Sequence, residues 1–151
     1  MPRIVISDTS CLVVLEKINE LELLKNIYSE VLTTPEVKSE FGNPLPDWIK
    51  IRSAKNVDFQ SKLEFKVDKG EASAIALGAE TEDCIVILDD LKARKVAVSL
   101  HLNFTGTLGI LVKAKETGVI SSVKPLLLKL KSVGLRFSNE VEREILNQSS
   151  E

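Results

Sequence analysis

The chain has 151 residues, 44% of them hydrophobic and 28% charged, with a formal net charge of −2. One histidine and two cysteines exclude an ordinary four-ligand structural zinc site, and the net charge gives no general attraction to nucleic acid. No apolar run is long enough to cross a bilayer, and the N-terminus lacks a signal-peptide pattern. We therefore expect a cytoplasmic, globular protein with no membrane partner.

Two apolar segments of the chain run directly into acidic residues. Residues 4–6 are Ile-Val-Ile and lead to Asp8, and residues 85–88 are Ile-Val-Ile-Leu and lead to Asp89 and Asp90. Short, continuous β-branched runs predict strands buried on both faces of a parallel sheet. Because functional groups gather beyond the carboxyl ends of such strands, the pattern predicts carboxylates from two strands at one sheet edge.

The first half of the chain alternates helical and extended patterns. Helical spacing follows Asp8, a capping-box pattern begins at Asn19, and residues 31–34 predict a strand. Thr34, followed by a proline, predicts the start of a helix that ends at Gly42.

The second half begins with residues 43–69, which show no clear pattern apart from a half-exposed alternation at 49–52. The alternation of strands and helices then resumes and predicts an α/β fold with a mostly parallel sheet. The later predicted elements are a helix over 70–79, the strand at 85–88, a helix after Asp90, a short strand at 103–107, and helices from about Leu108, Pro125 and Ser138.

Four segments supply acids that can meet at the predicted sheet edge: Asp8, Glu40, Glu71 and Asp90, with Asp89 beside the last. At ~5 Å and an effective dielectric constant of ~20, each ionised pair would cost ~3 kcal/mol. Such a cluster must bind a cation, hold protons or remain spread apart. A set of oxygen ligands suits Mg²⁺ or Mn²⁺, and the chemistry that follows is metal-assisted hydrolysis of a phosphodiester.

Each of these acids also has a purely structural interpretation. Asp8 and Asp90 can cap the helices that follow them. Asp68-x-x-Glu71 resembles a capping box, which by itself would explain Glu71, and Glu40 can extend into solvent.

Two neighbouring features leave similar alternatives open. Arg94 lies four residues after Asp90 and can form either an ion pair with it along one helix or a contact with a phosphate. The sequence Thr-Gly-Thr at 105–107 predicts a tight turn plus an N-cap, or a helix N-terminus that receives phosphate, with Thr107 as a candidate supporting residue.

Taken in order, these motifs resemble the PIN-domain family of metal-dependent ribonucleases, which includes VapC-type toxins. The matching segments are residues 4–10, 35–40, 70–77 and 86–94, and the resemblance extends to about Leu146. The pieces Asp-Asp-x-x-Ala-Arg and Thr-Gly-Thr-Leu-Gly are similar to an uncharacterised, toxin-like PIN subgroup.

The resemblance implies one PIN-like domain over residues 1–147, followed by a frayed tail at 148–151. Its fold would be a three-layer α/β/α arrangement with a mostly parallel central sheet of four to five strands. Asp8 and Asp90 would hold Mg²⁺ or Mn²⁺. Glu40 and Glu71 would complete the acidic pocket, and the hydroxyl of Ser10 or Thr9 would support Asp8.

The sequence departs from the family pattern at the third acid, which is often Asp in PIN nucleases and is Glu71 here. The longer side chain changes the reach to a metal ion. Because side chains alternate along a strand, only one of the two acids Asp89 and Asp90 can point squarely at the pocket. We favour Asp90 as that ligand and keep Asp89 as a further candidate.

The functional hypothesis is a Mg²⁺- or Mn²⁺-dependent endoribonuclease that acts on RNA as the toxin of a toxin–antitoxin pair. The resemblance also implies a homodimer and a small antitoxin protein as partners. One alternative is a catalytically inactive PIN-like module that binds protein or RNA. Another is an aspartyl-phosphate switch or phosphatase that uses Asp8, although Ser10 stands where such a phosphatase would carry a second Asp.

Overall fold

Five short parallel strands form the centre of the protein in a computed structural model that describes residues 1–151. The strands are β1 (Ile4–Ile6), β2 (Glu30–Thr33), β3 (Ile49–Ile51), β4 (Cys84–Ile87) and β5 (Phe104–Thr105). The helices are α1 (Thr9–Lys17), α2 (Glu22–Ile27), α3 (Pro35–Phe41), α4 (Val57–Leu63), α5 (Lys69–Ala79), α6 (Leu91–Ser99), α7 (Thr107–Glu116), α8 (Lys124–Ser132) and α9 (Asn139–Gln148).

The strand order is β3-β2-β1-β4-β5, so the first strand of the chain is the central one. Residue Ile4 is in register with Glu30 of β2 on one side and with Cys84 of β4 on the other. Each parallel pair is joined by a helical crossover, as this strand arrangement requires. The carboxyl ends of β1 and β4 therefore lie side by side, as the two acid-terminated runs predict.

Successive strand residues point to opposite faces of the sheet, and helices cover both faces. Val5 packs in a core with α1, α2 and α7 to α9, whereas Ile4 and Ile6 pack in a second core with α4, α5 and α6. Small residues let α5 approach the sheet closely, since a Cβ on Gly78 would lie 2.6 Å from Cγ2 of Val86. The three-layer α/β/α prediction is confirmed, with every strand pair parallel.

The helix predicted to start after Thr34 forms as expected. The Thr34 hydroxyl accepts a hydrogen bond from the Val37 amide at 3.1 Å, and Pro35 occupies the first turn. Gly42 ends the helix with φ at +77°, a conformation that a glycine adopts without steric cost.

The stretch from 43 to 69 contains β3, which confirms the half-exposed alternation at 49–52, and the helix α4, which the sequence analysis did not predict. Helix α4 begins after Asn56, whose side chain accepts a hydrogen bond from the Phe59 amide at 3.1 Å. Leu63 is the only fully buried residue of this helix. A seven-residue helix with so little buried surface produces no apolar periodicity that a sequence pattern can detect.

Residues 148–151, predicted to fray, are instead held against the body of the protein. Gln148 is the last residue of α9, and Ser149 is buried. The Glu151 carboxylate accepts hydrogen bonds from the Ser122 hydroxyl at 2.6 Å and the Val123 amide at 2.7 Å, and it pairs with Lys115 at 3.1 Å. This segment therefore fastens α9 to the start of α8.

No helix of the structure combines the length and the apolar composition that crossing a bilayer requires.

The Glu151 contacts lead to a prediction about stability. The hydrogen bonds from Ser122 and Val123 lower the pKa of Glu151 from 4.5 to about 2. A carboxyl group with a lowered folded-state pKa stabilises the fold above its ordinary pKa, and this contribution is lost as the pH falls toward 2. We expect Glu151→Gln to lower the urea midpoint at pH 7 and to differ less from wild type at pH 3. The exposed Glu82→Gln serves as the control, and an equal Glu151→Gln effect at both pH values would contradict the prediction.

Candidate metal centre

A small pocket of about 190 Å³ lies at the carboxyl edge of the sheet and has no hydrophobic lining residue. It collects the four acids that the sequence predicted, from the ends of β1 and β4 and from helices α3 and α5. A fifth carboxylate also lines it, and none of the lining side chains is basic. The lining residues are Asp8, Thr9, Ser10, Glu40, Asp68, Glu71 and Asp90.

Asp8 is the most deeply buried acid of this pocket, with 2% of its surface exposed. Its Oδ1 accepts a hydrogen bond from the Cys11 amide at 3.0 Å, and this contact caps α1. Its Oδ2 accepts one from the Asp89 amide at 3.3 Å. Burial raises the pKa of Asp8 from 3.8 to about 7, with the charge of Asp89 acting in the same direction. Asp8 is therefore both a helix cap and a pocket residue.

Glu71 carries the one buried side-chain oxygen of the structure that lacks a hydrogen-bond partner, Oε2. Burial raises the pKa of Glu71 from 4.5 to about 8, followed by the contributions of Asp68, Asp90 and Asp8. A buried carboxylate oxygen without a donor is expensive unless it binds a proton or a cation. Glu71 is thus poised to accept one or the other.

Asp68 is a pocket residue that the sequence analysis treated only as a cap. Its Oδ1 accepts a hydrogen bond from the Glu71 amide at 2.9 Å, so the predicted capping at the start of α5 is present. A residue at the N-cap lies beside the first turn of its helix, and Glu71 is in that turn. Their three-residue spacing was therefore a signal that both side chains reach the same place.

Glu40 reaches the pocket from α3 by crossing the first turn of α5. Its Oε1 accepts a hydrogen bond from the Thr9 hydroxyl at 2.5 Å. A Cβ on Gly70 would lie 2.3 Å from the same Oε1, so the absence of a side chain at this position leaves room for the carboxylate. The hydroxyl of Thr9 thus supports Glu40 rather than Asp8, which corrects the role that the resemblance implied. Ser10 lines the pocket beside it.

Of the two adjacent acids, Asp90 lines the pocket and Asp89 does not. Asp90 uses Oδ2 to cap α6 by accepting a hydrogen bond from the Ala93 amide at 3.1 Å. The Asp89 carboxylate accepts hydrogen bonds from the Thr107 amide at 2.8 Å and the Thr107 hydroxyl at 2.6 Å. Asp89 therefore positions the start of α7 and, through its own amide, Asp8. The N-cap of that helix is Gly106, within the predicted Thr-Gly-Thr turn.

Arg94 forms neither the helix pair with Asp90 nor a contact with the acidic pocket. Its Nε donates to the Leu88 carbonyl oxygen at 2.7 Å, and its Nη2 lies 4.0 Å from Oδ1 of Asp89. The guanidinium group also lies 5.8 Å from the centre of the Phe104 ring. Arg94 is thus fixed on the side of Asp89 that faces away from the acidic pocket.

The donor set fits a hard divalent cation in its chemistry. Every donor is an oxygen, the buried oxygen of Glu71 lacks a partner, and burial, followed by the neighbouring acids, raises the pKa values of Asp8 and Glu71. No three acidic, histidine or cysteine side chains stand close enough to hold one ion together. Because Mg²⁺ usually retains several waters and takes one or two carboxylates, this spacing is compatible with such an ion.

A parallel five-stranded sheet between two helical layers, with acids from β1, β4, α3 and α5 at its carboxyl edge, defines a PIN-like fold and site. A family model described as a PIN domain matches residues 4–151, and the chain belongs to the PIN-domain family. No curated protein and no solved structure matched the sequence. Proteins of this family are generally nucleases, so membership implies an interaction with nucleic acid.

The different surroundings of Asp89 and Asp90 can be tested by metal binding. We expect Mn²⁺ at a hundredfold excess over its dissociation constant to stabilise the wild type by roughly 2.7 kcal/mol, which raises Tm by about 5–10 °C. Asp90→Asn should lose most of this increase because it removes a charge from the pocket. Asp89→Asn should retain it, since an asparagine can keep both hydrogen bonds to Thr107. Equal losses in the two variants would contradict the geometry described above.

The raised pKa values predict how pH affects metal binding. Asp8 and Glu71, with pKa values of about 7 and about 8, bind protons near neutral pH, so protons compete with the metal. We expect the Mn²⁺ affinity, measured by calorimetry, to increase from pH 6 to pH 8.5.

The metal-free protein should behave in the opposite way. Carboxyl groups whose folded-state pKa is raised stabilise the fold at low pH, and this contribution is lost as the pH rises through the raised values. Melting without metal should therefore show wild-type stability declining from about pH 5 to 8, with a smaller decline in Glu71→Gln. A flat profile in the wild type would show that these groups are not perturbed.

Proposed function

We propose that this protein is a Mg²⁺- or Mn²⁺-dependent endoribonuclease. The observation that carries the proposal is a pocket of five carboxylates at the carboxyl edge of a PIN-family sheet, with one buried oxygen, Oε2 of Glu71, unpartnered. Gathering like charges in so small a space is unfavourable without a cation or protons to offset them. A metal site for phosphodiester hydrolysis accounts for both the arrangement and the family.

The acids of the pocket have different proposed roles in hydrolysis. Asp8 and Asp90 would hold the ion, which when bound lowers the pKa of a water molecule and steadies the oxygens of the phosphodiester. Two backbone amides fix the Asp8 carboxylate, so it is already oriented before a ligand arrives. Glu71, with a pKa of about 8, holds a proton at neutral pH while the pocket is empty, and a bound cation would favour its ionised form, whose Oε2 could then accept a proton from the attacking water.

The biological role that we propose is the toxin of a toxin–antitoxin pair, acting as a homodimer and neutralised by a small antitoxin protein. This part of the proposal is supported by the resemblance of the 86–94 and 105–109 motifs to toxin-like PIN proteins. The surface offers an apolar contact, since Leu128 of α8 is 62% exposed. An interface with a second copy would cover such a side chain.

An aspartyl-phosphate mechanism is disfavoured by the surroundings of Asp8. Both of its oxygens accept hydrogen bonds from backbone amides, and the residue is almost completely buried. A small cation needs only a remaining lone pair on such an oxygen, whereas attack on phosphorus needs space for a whole phosphoryl group to approach it.

The nuclease proposal predicts the behaviour of Asp8→Asn. We expect wild type to cleave single-stranded RNA of mixed sequence in the presence of Mg²⁺ or Mn²⁺ and to be inactive in EDTA. The variant should lose activity by more than ~100-fold, because it removes a charged ligand at the most buried position of the pocket. The measurement is the rate of fragment formation on denaturing gels.

Asp58→Asn on the exposed face of α4 is the matched control and should cleave at the wild-type rate. Circular dichroism establishes that both variants are folded. If wild type cleaves no RNA with either metal while Mn²⁺ still raises its Tm, the enzyme proposal fails and a non-catalytic binding module takes its place.

A further inference from the structure

A second cavity, of about 520 Å³, opens directly beside the acidic pocket. Asp89 forms part of its wall, while the next residue, Asp90, lines the acidic pocket. The Asp89 amide also donates to Oδ2 of Asp8 at 3.3 Å, so the two cavities share one thin wall. We refer to this second cavity, formed by α6, the start of α7, residues 135–137 and α9, as the flanking groove.

The flanking groove contains two arginines that can face a ligand. Arg94 uses its Nε on the Leu88 carbonyl, which leaves the terminal nitrogens of the guanidinium group directed to the groove side of Asp89. Arg136 is exposed on the opposite wall and forms no ion pair. Guanidinium groups bind phosphate oxygens with strong, charge-assisted hydrogen bonds. The two arginines balance the two acids of the groove, Asp89 and Glu144, and Arg136 is the positive group without an acidic partner, beside a pocket whose charged residues are all acids.

Two aromatic rings also line the groove, one beside Arg94 and the other beside Lys131, which pairs with Glu142 at 2.8 Å and lies outside the groove lining. Phe104 and Phe137 line the flanking groove and are each partly exposed. The Arg94 guanidinium lies 5.8 Å from the Phe104 ring centre, and the Lys131 ammonium lies 5.4 Å from that of Phe137. Aromatic rings beside cations are the combination on which unpaired bases stack while their phosphates are neutralised.

The two acids of the groove, Asp89 and Glu144, each have a partner within the protein. The Asp89 carboxylate is occupied by Thr107 and faces Arg94. Glu144 accepts a hydrogen bond from Gln148 at 3.3 Å, and both belong to the α9 wall. A carboxylate and an amide of this kind pair with base edges rather than with phosphates. This arrangement favours a strand whose bases are turned toward the protein.

We propose that the flanking groove binds the single-stranded RNA segment next to the scissile phosphate, with an unpaired base against Phe137 and backbone phosphates on Arg94 and Arg136. Its position beside the acidic pocket and the unpaired Arg136 favour RNA over a peptide as the occupant. A duplex does not fit this chemistry, because its base faces are covered by their neighbours. That the bound strand runs from the groove into the acidic pocket rests on the proposed nuclease function, whereas the affinity of the groove for RNA does not.

The test is binding of a fluorescently labelled, single-stranded RNA octamer of mixed sequence, followed by anisotropy in EDTA so that no cleavage is required. Arg136→Ala should weaken binding about fivefold or more and reduce its salt dependence, since a phosphate contact is lost. Phe137→Leu keeps an apolar side chain for packing but loses the ring, and should weaken binding by at least ~5-fold.

Arg143→Ala is the matched control, because Arg143 is exposed on α9 but lies outside the groove. The substitution removes one positive charge, as Arg136→Ala does. It should change the affinity less than twofold, and a double-stranded octamer should be insensitive to Phe137→Leu. Unchanged RNA affinity in both groove variants would overturn the proposal and leave the groove to a protein segment. Weaker binding in the groove variants, even if wild type cleaves no RNA with either metal, would support the groove and reject only the nuclease function.

Discussion

Three helices begin at the acidic pocket, and the carboxylates that cap them are acids that line it. Asp8 caps α1, Asp68 caps α5 and Asp90 caps α6. The positive ends of three helix dipoles therefore point at a place where negative charge accumulates, which lowers the cost of keeping the acids together. Asp68 and Asp90 each use one oxygen for a backbone amide, whereas both oxygens of Asp8 accept one. Capping a helix and lining the acidic pocket, which the sequence left as alternatives, are thus combined in the same residues.

Asp8 connects this edge to the rest of the sheet. It joins the end of the central strand to α1 and to the end of β4 through amides of Cys11 and Asp89. Asp89 in turn holds the first residue of α7. A shift at any of these contacts would move the acidic pocket and the flanking groove together. The site and the cavity beside it are consequently parts of one hydrogen-bonded framework rather than separate surface features.

The sequence was sufficient to predict the fold and most of the residues that line the acidic pocket. Strands buried on both faces leave uninterrupted apolar runs, and Thr34-Pro35 with Gly42 marks α3 at both ends. Side-chain direction was harder to predict, because it depends on tertiary contacts. Nothing in the pair Asp89-Asp90 shows that Thr107 binds the first acid, and nothing in Thr9 shows that its hydroxyl turns to Glu40. The short helix α4 and the anchored Glu151 depend on distant partners in the same way.

The strand order has a consequence for how the protein appears during synthesis. Strand β1 lies at the centre of the finished sheet and leaves the ribosome well before its permanent neighbour β4. Asp8 and the amide of Asp89 that holds it are 81 residues apart in the chain. At about 5–20 residues per second, translation separates their emergence by on the order of ten seconds. A nascent chain therefore exposes one edge of its central strand, without a completed pocket, until β4 has been made.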